Sequence, residues 1–397
     1  MKNDMKNAES TKNKTSAWLV VGGILGAALG VACVAAAFLM PKEGPKEISF
    51  PTIPSKVAEK QIYSNLTGLP VASEAEVTAP TYCVQTPNGT DGARPQAGLN
   101  QAGVVFEAIA EAGITRFAAI YQNPTSAVIG PIRSLRLYYL QWDTPFDCTI
   151  VHAGGADDAL AAVRNGGYKD LSENYEYMYR GNAGSRLWNN LFTTGAYLKQ
   201  MNADWGYGGS QVNGFARMTP EESQKSRIDN TVSEKLDIVE PASGNTSTRA
   251  AKVTGVGVYF GGWPNFNVIY SYNADENVYY RGYESEAAAD MYVCPNEDLG
   301  EVNPESACEL KVMSPAVVAV MMVEEHKAED NYHEDIQAVG SGEAYVFQNG
   351  LAYHGTWSKA SVESQIKFLD DSGVEIRLAP GQTFVEAVPN YGSVAYW

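Results

Sequence analysis

Four arginines, Arg94, Arg116, Arg133 and Arg136, fall within 43 residues of a chain that holds 29 Lys+Arg against 46 Asp+Glu. A guanidinium presents a planar fork of donors that matches a carboxylate or a phosphate, so such a cluster points to recognition of an anion. The arginines border turns, in ARPQAGLNQAG, in AGITRF and in IGPIRSLR. In the last of these, Gly130 permits an unusual backbone angle and Pro131 suits the first turn of a helix. Ser134 can then cap or donate, while free N–H groups at a helix start favour negative charge. VHAGG sets His152 at the end of an apolar run, with Gly154 and Gly155 in the loop behind it. The ligand-binding candidates are therefore Arg94, Arg116, Arg133, Ser134, Arg136, His152, Gly154 and Gly155. The competing reading is an ordinary helix start whose arginines pair with Glu107 and Glu111.

Glu107 and Glu111 are four apart and would share one face of a helix. Two such carboxyls divide acid and base roles when burial raises one of them. With His152 as base or ligand contact, they are the candidates for catalysis by a hydrolase or transferase. They serve equally well as counter-charges for Arg116 and Arg133, and His152 as a hydrogen-bonded structural histidine. VEEHKAEDNYHED brings together His326, Asp330, His333, Glu334 and Asp335, which reads as a solvated acidic turn rather than a cation site. No Cys/His spacing suggests zinc, so neither metal nor cofactor is expected. GxxxxGK[ST] and GxSxG are absent, which takes the usual support from ATPase and lipase readings. Tyr175, Tyr177, Tyr179, Trp188, Trp205 and Tyr207 form either a sugar-stacking wall or ordinary core.

Positioning these residues requires a fold of class α+β. The spacing predicts helices over 103–112, 134–142 and 157–163, alternating with strands over 114–121 and 148–152. Alternation of this kind argues for an α/β layer, whose ligands sit at strand ends. We assign residues 63–235 to that α/β ligand-binding domain and 236–397 to a mostly β domain. Strands are expected in the latter at 252–260, 267–272, 277–280, 316–323, 343–348 and 374–378. TPEESQKS resembles a helix start, PASGNTSTRA reads as an interdomain connection, and His354 reads as part of a turn between strands.

Residues 17–40 carry no charge, and at ~1.5 Å per residue they reach about 36 Å, enough for a hydrocarbon core of roughly 30 Å. We expect this segment to be a single transmembrane helix, with 1–16 as a cytoplasmic tail and 41–62 as a linker. Lys2, Lys6, Lys12 and Lys14 against Asp4 and Glu9 give the tail a charge of +2, so the net −17 of the chain leaves −19 for the rest. The positive-inside rule then places the main body outside the cell. A cleaved signal peptide would have a shorter apolar run, and lipidation of Cys33 meets Gly30 where a lipobox wants a large aliphatic residue. A pI near 4.7 argues against nucleic acid as a partner. Apart from Cys33, four cysteines remain and allow three pairings. Cys294 and Cys308, 14 apart in a polar segment, are the natural local pair, which leaves Cys83 with Cys148.

Several strings, ARPQAGLNQAGVVFEAIAEAGITRF, IGPIRSLR, VHAGGADDAL, GSGEAYVFQNGLAYHGTW and LAPGQTFVEAVP, resemble the YerB-like family of bacterial cell-envelope lipoproteins, a family of unknown function. The resemblance runs from about residue 63 to 397 and implies a two-domain extracytoplasmic protein. Family members carry a lipobox cysteine, so the anchor departs here while the compartment agrees. They also tend to show a His-Asn pair after an arginine, in the segment matching RLWNNLFTT. Arg186 and Asn190 match that pattern and join the binding candidates, but Asn189 stands in the place of the histidine. The expected function is binding of an anionic ligand such as a cell-wall fragment or a peptide. A cell-envelope hydrolase or transferase, and a scaffold for cell-wall or division proteins, are the alternatives.

Overall fold

Thr81–Pro87, Val104–Ile109 and Thr115–Gln122 are buried along almost their whole length, the mark of strands covered on both faces. They run antiparallel, with Thr115–Gln122 in the middle. A computed structural model describes residues 61–126, 128–181, 189–227, 236–239, 247–284, 291–293 and 309–397. The expected membrane segment 17–40, its flanks, Cys294, Cys308, Arg186 and Trp188 lie outside the described residues. Among those described, no helix is long and apolar enough to cross a membrane.

These strands belong to a 12-stranded mixed sheet that takes strands from both halves of the sequence. On one side, Thr81–Pro87 continues in parallel to Thr149–His152 and Asp170–Ser172. On the other, Val104–Ile109 lies parallel to Thr383–Pro389, which lies parallel to Val317–Val323. Gly340–Gln348 and Leu351–Lys359 extend the sheet as an antiparallel hairpin. Alternate residues of the central strands feed two apolar layers. Phe106, Ala118 and Ile120 pack with Tyr139, Trp142 and Phe146 of the helical segment that follows Arg136. Val105, Phe117 and Tyr121 face Leu198 and Met201 of helix Gly195–Asp204. A second, four-stranded antiparallel sheet, Gly255–Tyr259 with Val268–Asn273, Val278–Tyr283 and Ser393–Tyr396, covers Val318, Val320 and Phe347. Cys83, in strand Thr81–Pro87, and Cys148, just before the neighbouring strand Thr149–His152, form a disulfide with 5.7 Å between their Cα atoms.

The predicted strand at 114–121 and helix at 157–163 appear as Thr115–Gln122 and Asp157–Asn165, and TPEESQKS opens a helix with a capping box of Thr219 and Glu222. Other expectations fail. Residues 103–112 hold the strand Val104–Ile109 instead of a helix, because a strand buried on both faces has an unbroken apolar run that periodicity cannot separate from a helix. The GPIRS segment does not begin a helix. Its amides are taken by neighbouring chain: Ile132 donates to Leu191, Arg133 to Gln85 and Leu135 to Gly154. The helix starts only at Leu137. Residues 252–260 divide between two strands of different sheets, 374–378 form isolated bridges rather than a strand, and His354 lies inside Leu351–Lys359 rather than in a turn.

Candidate functional site

Glu107 and Glu111 do not share a face. Glu107 points from its strand into the layer beside Phe117, and Glu111 lies in the tight turn that follows. Each has its own set of partners, and both are nearly inaccessible.

Glu107 accepts from Arg281 Nη2 at 2.7 Å, from Asn88 Nδ2 at 3.0 Å and from the Thr115 hydroxyl at 2.5 Å. Arg281 is fully buried, 4.6 Å from the centre of the Tyr283 ring and near Phe117 and Phe384. Asn88 Oδ1 in turn accepts from Arg94 Nε, Gln96 Nε2 and the Tyr283 hydroxyl. Arg94 therefore stacks 3.5 Å above Tyr283 as part of this network, apart from the other candidate arginines. Glu386, in register with Glu107, accepts from the Tyr270 hydroxyl. Burial first, and then the neighbouring Glu107 charge, push it well above the usual carboxyl range. Arg281, Asn88 and Glu386 gave no local signal, since they come from distant segments and meet only through the sheet.

Glu111 receives Arg116 Nη2 at 2.8 Å and is also bonded to the Arg136 guanidinium. Burial raises its carboxyl, but Arg116 and Arg136 more than offset this and hold it below the ordinary value. Arg116 also donates to the Ser134 carbonyl at 3.3 Å, and His333 Nε2 stands 3.6 Å from Glu111. The turn Glu111–Gly113 is thus a counter-charge for two of the four candidate arginines. His152 is buried, its Nε2 2.9 Å from Asp170 and its Nδ1 2.8 Å from the Gly154 carbonyl. Both ring nitrogens face acceptors within the protein. None of the three catalytic candidates faces another, so the structure offers no acid–base pair among Glu107, Glu111 and His152.

Arg133 differs from its neighbours. Its backbone joins the Gln85 carbonyl to the Ala153 amide, so the IGPIRS and VHAGG strings do lie side by side, closed by the Ser134 hydroxyl donating to Ala153. Gly154, at φ +70°, has open space where a Cβ would stand. The Arg133 side chain is partly buried, and among the described residues its guanidinium has neither a hydrogen bond nor an ion pair. Burial lowers it, Asp91 opposes that, and the nearby Arg136 and Arg180 charges lower it further. Asp91 accepts from Asn189 Nδ2 at 3.0 Å, and Asn190 accepts from Arg180 Nη1 at 2.9 Å. The Asn189-Asn190 pair is thereby brought to the same charged patch. Asp91 and Arg180 were missed because neither belongs to a motif. Of the aromatic wall, Tyr177 meets Trp205 and Tyr197 edge to face, which is packing between side chains.

Two domains described as "Protein of unknown function (DUF3048)" match the chain, the N-terminal domain over residues 66–207 and the C-terminal domain over 258–385. A protein named "Putative lipoprotein YerB" from Bacillus subtilis (strain 168) is 24% identical over 339 residues, covering 83% of this chain and 87% of that protein. The crystal structure of the Bacillus subtilis YerB protein superimposes with a TM-score of 0.65 and 21% identity, over 84% of this chain and 100% of that one. This likeness extends the shared architecture to nearly the whole described chain.

Proposed function

The chain belongs to the DUF3048 family, and from that premise we propose that it is a membrane-associated extracytoplasmic protein that binds an anionic group at Arg133. The compartment is supported by the lipoprotein name of its relative and by the Cys83–Cys148 disulfide, a bond that persists in oxidising surroundings. The single observation that carries the ligand class is the Arg133 guanidinium, which has no hydrogen bond or ion pair among the described residues and is set among Arg136 and Arg180. A guanidinium partly withdrawn from water gains more from a carboxylate or phosphate than an exposed one does. Asp91 then competes with the ligand, so the free site is not a bare concentration of positive charge.

Binding of a glycerol-phosphate oligomer and of a muropeptide to the wild-type chain and to Arg133→Ala tests the ligand class. We expect the variant to lose about tenfold or more in affinity while keeping its melting temperature. Equal affinity for both anions in the two proteins overturns the reading. Impermeant labelling of a surface cysteine in intact cells tests the compartment, and a protected main body would contradict it.

A further inference from the structure

Near Arg133 stands an opposite charge that does not pair with it. The Ile132 amide donates to the Leu191 carbonyl, so Asn189 and Asn190 lie beside the IGPIRS segment. Asn189, only 2% exposed, donates through Nδ2 to Asp91 Oδ1 at 3.0 Å and so holds Asp91 at the same place. The Asp91 carboxylate is exposed and attracts the Arg133 guanidinium, yet among the described residues neither group forms an ion pair.

The other arginines of the patch are engaged. Arg116 and Arg136 share Glu111, and Arg180 holds Glu173 at 2.6 Å while donating to the Tyr175 hydroxyl and to Asn190. Arg133 and Asp91 are the cation and anion of this patch that face one another without touching. A phosphate or a simple carboxylate seated on Arg133 meets Asp91 as a like charge. A ligand that carries an ammonium beside its carboxylate turns that repulsion into a second attraction. Gly154 leaves room for the body of such a ligand: it follows Ala153, whose amide donates to the Arg133 carbonyl, and nothing lies within 4 Å of where its Cβ would stand.

Resting on the reading of Arg133 as an anion site, we infer that its ligand is a zwitterion, the free amino-acid centre of a small molecule or a peptide, with the carboxylate on Arg133 and the ammonium on Asp91. An α-amino acid fixes both charges on one carbon, a short and constant separation that suits two protein groups standing close but apart. Asn189 takes one oxygen of Asp91, and among the described residues Oδ2 accepts no hydrogen bond, so it is the atom for the ammonium. A site that bonds both charges rejects a ligand lacking either, because the deserted protein group is then desolvated without a partner.

The test is calorimetric titration of the full chain, as wild type, Arg133→Ala and Asp91→Asn. The probes are a muropeptide ending in diaminopimelate with its distal ammonium and carboxylate free, the same muropeptide acetylated at that amine, and free diaminopimelate. Asp91→Asn keeps an oxygen to accept from Asn189, so the melting temperature should not move. Wild type should bind the free-amine muropeptide about tenfold more tightly than the acetylated one. Asp91→Asn should erase that preference without weakening the acetylated form, and Arg133→Ala should weaken both. Tighter binding of the muropeptide than of free diaminopimelate assigns the site to wall peptides, and the reverse assigns it to free amino acids. A missing preference in wild type, or one that survives Asp91→Asn, overturns the zwitterion; the anion reading still stands if Arg133→Ala weakens the acetylated form. Equal binding of all three probes by wild type and Arg133→Ala overturns both.

Discussion

Glu386 stands opposite Glu107 on a neighbouring parallel strand, and the two carboxyls, both without exposure, are served by one arginine. Arg281 pairs with Glu107, and Glu386 is left with the Tyr270 hydroxyl. A carboxyl raised in the folded state contributes stability that is complete below its unfolded value, about 4.3, and is lost as pH rises through the folded value. Glu386→Gln, which keeps the shape and removes the titration, should flatten the fall in stability at higher pH and gain about 1 kcal/mol at pH 8. Urea midpoints at pH 5 and pH 8 measure this, and an unchanged difference between them contradicts it.

Among the described residues, Arg281 alone forms an ion pair with Glu107, reached across 174 residues of sequence. Arg281→Met should cost about 3–5 kcal/mol, because a buried carboxylate loses its counter-charge. Adding Glu107→Gln should recover much of that loss. A double variant no more stable than Arg281→Met would mean that packing, and not charge, is what Arg281 supplies.

Arg133 and Arg136 are three residues apart and should respond differently to removal. Arg136→Ala strips a partner from buried Glu111 and should destabilise by about 3 kcal/mol, whereas Arg133→Ala should stay within about 0.5 kcal/mol of wild type. Glu111 adds a pH signature: a depressed carboxyl contributes stability present above its unfolded value and lost as pH falls through the folded one. Thermal melts between pH 3 and 6 should show that acid loss in wild type and less of it in Glu111→Gln.

The Cys83–Cys148 disulfide closes a loop with a sequence separation of 65 residues. Loop-closure entropy gives about 4 kcal/mol for a loop of that length, so reduction should lower the melting temperature by many degrees. Non-reducing and reducing melts, with Cys83→Ala/Cys148→Ala as a control, measure it. Identical melts for wild type and the control would mean that the bond constrains little of the unfolded chain.

Motifs and turn chemistry made part of this molecule legible. The capping box at Thr219 and the helix after VHAGG follow from local signals. Strand Val104–Ile109 was hidden because its residues are buried on both faces, and with it went the relation of Glu107 to Glu111. The Glu107, Arg281 and Glu386 network was out of reach for another reason: its members meet only through strand order. The candidate arginines were found, but which one is unengaged depended on where Glu111 turned.

Thr383–Pro389 lies in the middle of the large sheet, between a strand from near residue 104 and one from near residue 317. A chain synthesised from its N-terminus therefore makes the two flanking strands long before the one that joins them. Until Thr383–Pro389 is available, Val104–Ile109 and Val317–Val323 each present an unpaired apolar edge. A product truncated near Leu378 would keep both edges open and become a substrate for proteases or for pairing with its own copies. This strand, the last of the large sheet to be synthesised, thus acts as a check: the two halves of the sheet are protected from aggregation only once it is in place.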